Sequence, residues 1–174
     1  MTERRLRTAA FTGHRDYRGE GAEALLQAVR TLCDEGVDTF LCGMAVGFDL
    51  AAAEAVIAVR RERPGIRLVA VLPFAEQSAR FGAEERRRYD RLLAEADETV
   101  LLAERYAADC YRRRNDFLVN HASRLVAWYD GRSGGTQFTF RRALHLGLRI
   151  ENLAPALNVQ EGLFASEEAL LVDS

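Results

Sequence analysis

The chain has 174 residues, 48% of them apolar and 29% charged, and its 24 arginines and 26 acidic side chains leave a formal net charge of −2. That length suits one well-buried core, the composition excludes a disordered or fibrous chain, and the charge balance argues against DNA, RNA or an anionic membrane as the default partner. Lysine does not occur, so a lysine Schiff base or a P-loop lysine is excluded, and any phosphate must be met by arginine or by backbone.

The segment from Met1 to Arg7 carries no apolar stretch, and no run approaches the roughly 18 apolar residues of a membrane span, so neither export nor membrane insertion is expected. Cys33, Cys42 and Cys110 are odd in number and widely spaced, which suits reduced thiols and a cytoplasmic protein. In chain order, apolar runs predict strands at Leu6–Phe11, Thr39–Cys42, Ile66–Leu72, Thr99–Leu102, Leu125–Tyr129 and Arg149–Leu153. Between them, apolar residues at helical spacing predict helices over Gly21–Glu35, Phe48–Arg61, Ala83–Ala96, Arg112–Ala122 and Thr136–Leu146. Parallel strands need crossover connections, and right-handed crossovers place helices on both faces. The expectation is one domain over residues 1–174 with a three-layer, Rossmann-like α/β fold, a mainly parallel sheet, a core from about residue 6 to 155, and a loosely packed C-terminal tail.

Ligands of such sheets sit beyond the carboxyl ends of the strands, so the strand exits carry the candidate chemistry. The first exit holds Gly13, His14 and Arg15. The second reads Gly43-Met44-Ala45-Val46-Gly47-Phe48-Asp49, with glycines that expose backbone N–H groups before a helix. Asp49 is placed to cap that helix or to accept a ligand hydroxyl, and Glu54, a little over one turn on, faces the same edge or solvent. The third exit supplies Phe74, which is core or a base-stacking ring. Asp130, Gly134, Gly135 and Thr136 follow the fifth run, where a glycine loop opening a helix is either an anion site or a tight turn. Of the arginines in Arg112-Arg113-Arg114-Asn115, Arg114 is the inward candidate, with Asn115 beside it. His14, His121 and His145 have no metal-ligand spacing, so no metal is expected.

Taken in order, Phe11–Arg15, Gly43–Asp49 with Glu54, Pro73–Phe74 with Gln77, Arg88–Tyr89, Asp109–Cys110, Arg113–Asn115 and Tyr129–Thr136 with Thr139 resemble the YpsA-like branch of the SLOG superfamily. The resemblance implies a Rossmann-like fold that binds a nucleotide or nucleotide-derived molecule, with no other cofactor required. It also implies two kinds of relative. One is the lonely-guy phosphoribohydrolases, which cleave the N-glycosidic bond of nucleoside monophosphates with an arginine and a glutamate. Carried over, the arginine falls on Arg114, the motif's last glycine and its threonine on Gly135 and Thr136, its proline and earlier glycines on Gly131, Arg132 and Ser133, and the glutamate on Thr139. A threonine cannot ionise to support an oxocarbenium-like centre, which leaves Arg114 and Glu54 as catalytic candidates, with Glu54 or Asp130 as a substitute carboxylate that the spacing does not require, and makes binding the leading expectation over hydrolysis. The other relative is DNA-processing protein A, which handles single-stranded DNA and stands third. The sequence leaves a homo-oligomer open.

Overall fold

Six strands run β1 (Thr8–Gly13), β2 (Thr39–Cys42), β3 (Arg67–Leu72), β4 (Glu98–Leu101), β5 (Arg124–Trp128) and β6 (Arg149–Asn152) in a computed structural model that describes residues 1–155. The tail expected to pack loosely after Pro155 lies outside the described residues. The helices are α1 (Glu3–Leu6), α2 (Ala22–Asp34), α3 (Phe48–Glu62), α4 (Ala83–Glu95), α5 (Cys110–Asn120) and α6 (Gly135–His145), with a 3₁₀ turn at Gln77–Arg80.

The strands form a single sheet in the order β4-β3-β2-β1-β5-β6, and every neighbouring pair is parallel. Alternation along the strands divides the core in two. Ala9, Phe11, Phe40, Cys42, Leu68, Ala70 and Leu72 face α2, α3 and α4, whereas Ala10, Leu41, Val69, Val71 and Leu125 face α5 and α6. The result is the three-layer Rossmann-like architecture expected from the alternating pattern. In α2 the buried residues Leu25, Ala28, Val29 and Leu32 repeat at three and four positions, so one stripe meets the sheet. Burying a side chain the size of Phe11 or Phe40 stabilises the fold by about 1.5–3 kcal/mol, and both are fully buried and stacked with ring centroids 6.0 Å apart.

The structure corrects the expected start of β1. Leu6 and Arg7 are not strand: Thr2 accepts a hydrogen bond from the Arg5 backbone N–H at 3.3 Å and starts a helical turn, and Arg5 Nε donates to Ala122 O at 2.8 Å. Capping and this tie to the end of α5 outweigh the strand preference of a single leucine. Similarly, α5 begins two residues earlier than expected, at Cys110, and ends at Asn120.

Gly13 ends β1 against α3. A Cβ there would lie 2.4 Å from the Phe48 ring, so the absence of a side chain lets the fully buried Phe48 seat on the central strand. Gly13→Ala is therefore expected to destabilise the protein by about 1–3 kcal/mol through overpacking. Urea denaturation checks this. An unchanged midpoint would show that Phe48 moves aside freely.

Candidate functional site

A cleft of about 1730 Å³ opens at the carboxyl ends of the strands, walled by the exits of β1, β2, β3 and β4 and by Tyr111 of α5. Its floor is organised by backbone. Gly47, with φ of +82°, brings the β2 exit so close to the β1 exit that a Cβ would lie 2.4 Å from Arg15 O, and Phe48 N–H donates to His14 O at 3.2 Å. Glycine is required here both for the conformation and for the approach. Met44 has φ of +60° and is fully buried, so packing from beneath holds it in a conformation that its own backbone disfavours.

Arg114 reaches from α5 to the β2 exit at Gly43; it adjoins the cleft next to Tyr111 and is not among the residues that line it. It is 5% exposed; its Nη1 donates to Gly43 O at 2.6 Å, and its Nε donates to Asn115 Oδ1 at 2.9 Å. Gln77 Nε2 donates to the same carbonyl at 3.0 Å. A Cβ on Gly43 would fall 2.5 Å from Arg114 Nη1, so a side chain there would displace the guanidinium from this seat. Among the described residues no carboxylate forms an ion pair with Arg114. The nearest compensation is Asp49, also buried, whose Oδ2 accepts from Ala45 N–H at 3.2 Å. Burial pushes the Asp49 carboxyl up and Arg114 opposes this; burial likewise pushes the Arg114 guanidinium down and Asp49 opposes that. Arg15 lies on the same side, its guanidinium carbon 5.4 Å from the Tyr111 ring centre, against 5.9 Å for Arg114.

The structure thus brings Arg15, Gly43, Gly47, Asp49, Arg114 and Asn115 together. It separates other candidates from them. Thr139 is fully buried and donates to Gly135 O at 2.9 Å, so its hydroxyl is spent inside α6. Glu54 is ion-paired with Arg88, which also reaches Glu85 at 3.4 Å. Gly13 serves packing and Met44 the core. The segment from Asp130 to Thr136 does not line the main cleft: Gly134 borders a separate hollow of about 470 Å³ along α6. Gly135 and Thr136 open α6, and Asn115 Nδ2 sits 3.7 Å from the position of a Cβ on Gly135, which links that helix start to Arg114 through one side chain.

The chain returns from β4 at one edge to β5 beside β1, so strand order reverses between β1 and β5, the usual place for a ligand. Here the protein fills that place itself. Arg132 donates to both oxygens of Asp16 at 2.8 and 2.9 Å and to Asp130 Oδ2 at 2.7 Å, and His14 Nε2 lies 2.8 Å from Asp130 Oδ1. Asp130 N–H also approaches His14 Nε2 at 3.2 Å; the two contacts need different protonation of one nitrogen, and the shorter, charge-assisted one assigns the proton to Nε2. Asp130 is thus held by His14 and Arg132.

Sequence reasoning missed the tyrosines of the cleft wall. Tyr17 packs edge-on against Phe48 and Trp128, and Tyr106, Tyr111 and Phe74 meet as a trio. The available signal was two tyrosines, Tyr106 and Tyr111, in the polar stretch between β4 and α5.

The fold defines a doubly wound parallel α/β protein whose cleft lies at the carboxyl end of its sheet. A family model, YpsA, described as the YspA SLOG family, matches residues 22–149, and the chain belongs to that family. Among its relatives, the SPbeta prophage-derived protein YoqJ of Bacillus subtilis is 27% identical over 135 residues, covering 70% of this chain and 79% of YoqJ. The UPF0398 protein BH1768 of Halalkalibacterium halodurans is 33% identical over 110 residues, which is 62% of this chain and 58% of that protein, so less than two thirds of BH1768 is spanned. DNA processing protein A of Helicobacter pylori, described for its single-stranded DNA binding mode, has a similar fold, with a TM-score of 0.67 over 95% of this chain and 74% of that one at 15% identity. Among the described residues no helix is long and apolar enough to cross a membrane, and no three His, Cys, Asp or Glu side chains gather as a metal site.

The His14 network makes stability depend on pH. Burial lowers the His14 pKa, and Arg132 adds to this, while Asp130 and Asp16 oppose it. The fold therefore favours neutral imidazole and the unfolded chain binds the proton more readily, so this contribution is present above pH ~6.5 and is lost as pH falls through the folded value. Asp49, whose pKa burial raises, acts in the opposite sense. Denaturation midpoints between pH 7.5 and 5 should fall less steeply in His14→Gln than in the parent, Asp49 being common to both. Parallel slopes would assign the acid sensitivity to other groups.

Proposed function

We propose that this protein is a cytoplasmic binder of a nucleotide or nucleotide-derived small molecule, whose phosphate is held where the β1 and β2 exits meet by Arg15, which lines the main cleft, and by the adjoining Arg114. The observation that carries the reading is the buried guanidinium of Arg114, which has backbone and amide acceptors but no carboxylate partner. A desolvated cation with free donors is costly to keep, and an anionic oxygen relieves that cost with charge-assisted, forked hydrogen bonds. Asp49 acts on Arg114 electrostatically from beneath, buried and accepting from Ala45 N–H, and so helps to keep the guanidinium charged. The cleft is lined by five arginines against four carboxylates, a near-neutral balance that favours a compact anion over a polyanion, whose binding rests on many phosphate contacts.

Hydrolysis of an N-glycosidic bond needs a carboxylate beside the phosphate site. Thr139 supplies none, Glu54 is engaged by Arg88, Asp130 by His14 and Arg132, and Asp49 is buried with its oxygen on Ala45 N–H. Binding without turnover is therefore the favoured outcome.

Arg114→Ala is expected to weaken binding of a nucleoside monophosphate by about ten- to a hundredfold, the loss of one charge-assisted contact. Arg15→Ala, at a less buried position, should weaken the same ligand without threatening the fold. Calorimetric titration of a panel of nucleoside monophosphates measures both, and liquid chromatography of the same mixtures detects released base. Affinity unchanged in both variants would remove the phosphate from this place. Multiple-turnover base release abolished by Arg114→Ala would make the protein a hydrolase, and tighter binding of a thymidine oligonucleotide than of any monophosphate would make it a single-stranded DNA binder.

A further inference from the structure

We propose that the rings of Phe74, Tyr106 and Tyr111 form the stacking platform for the heteroaromatic base of a nucleoside monophosphate whose phosphate lies at Arg15 and Arg114. This rests on the cleft being an anion site and adds what recognises the rest of the molecule.

Tyr111 is the hinge of the argument. Both guanidinium groups stand over its ring, at 5.4 and 5.9 Å from its centre, and the other two rings meet it edge-on, Phe74 at 6.0 Å and Tyr106 at 6.4 Å. Charge and aromatic surface therefore sit one ring apart, the order in which a nucleotide presents its phosphate and base.

The angles between the rings matter as much as the distances. Phe74 and Tyr106 meet at 82°, Phe74 and Tyr111 at 76°, and Tyr106 and Tyr111 at 61°. Rings packed edge to face satisfy one another's quadrupoles without covering every face. Tyr106 is 64% exposed, so its face is open to the cleft mouth. A lone exposed tyrosine requires no explanation, but three rings converging on one cleft beside two arginines are a surface shaped for a planar ligand. An aliphatic or peptide ligand would leave the free face without its best partner. The near-neutral cleft disfavours a long polynucleotide.

The test compares a base-containing ligand with one that lacks the base. The intact protein, Tyr106→Ala, Tyr106→Trp and Arg15→Ala are titrated calorimetrically with AMP, GMP, CMP and UMP, and separately with ribose 5-phosphate. For whichever nucleotide binds the parent most tightly, Tyr106→Ala should weaken affinity about tenfold, the usual effect of removing one stacking ring, while ribose 5-phosphate is unaffected. Tyr106→Trp should restore or exceed the parent's affinity for the nucleotide, and a melting temperature close to the parent's in Tyr106→Ala should exclude a merely structural role. Equal affinity of the parent and Tyr106→Ala for every nucleotide would overturn the stacking proposal. So would a parallel loss for ribose 5-phosphate. In either case the anion site would stand if Arg15→Ala weakens both kinds of ligand. Binding of none of the five probes to the parent would overturn both.

Discussion

The guanidinium of Arg114 rests on the carbonyl oxygen of Gly43, and much of the cleft is arranged around that contact. It needs a bare glycine, since any side chain at position 43 would occupy the place of the guanidinium. It needs α5 to begin where it does, so that the fourth residue past Cys110 points at the end of β2 rather than into solvent. It also shares its acceptor with Gln77, which fastens the 3₁₀ turn after β3 to the same oxygen. Two exits of the sheet and α5 are thereby referred to one atom. Asn115 extends the arrangement to the start of α6.

Such a centre is expensive. Transferring an ion from water into a protein interior costs several kcal/mol after relaxation, and here both Arg114 and Asp49 are nearly inaccessible. They oppose each other's desolvation without touching, so neither charge is fully compensated by protein. The free hydrogen-bonding capacity is concentrated where the β1 and β2 exits meet. By contrast, the position that strand topology marks out for a ligand, between β1 and β5, is closed by His14, Asp16, Asp130 and Arg132, which satisfy one another. The main cleft lies instead toward the β3 and β4 side.

The architecture was legible because its signal is long-range and repeated: apolar runs of strand length alternate with helical periodicity in α2 and α3. Single-turn features were not, since the turn at Glu3–Leu6 depends on a capping threonine and on Arg5 meeting the end of α5, a partner over a hundred residues away. The inward choice of Arg114 among three successive arginines, and the grouping of Gly43, Gly47 and Asp49 at one edge, could be read because strand exits share an edge in a parallel sheet. The glycine loop before Thr136 has the same sequence character as the β2 exit, yet it borders a different hollow. In that loop Arg132 pairs with Asp16, and nothing in local sequence pairs those two side chains. Tyr106 and Tyr111 escaped notice for a related reason: an aromatic residue in a helix or its approach ordinarily signals core.

The close approach at Gly47 bears on how fast a ligand is captured and how long it stays. The exits of β1 and β2 touch backbone to backbone, and Met44 is wedged beneath them by the core, so this part of the floor has no slack to lose on encounter. For a ligand of the kind proposed above, little ordering entropy would be charged to association at this part of the floor. Capture is left to diffusion and orientation. Differences among ligands would be written in their residence times, set by how many donors and ring faces each one must release to leave.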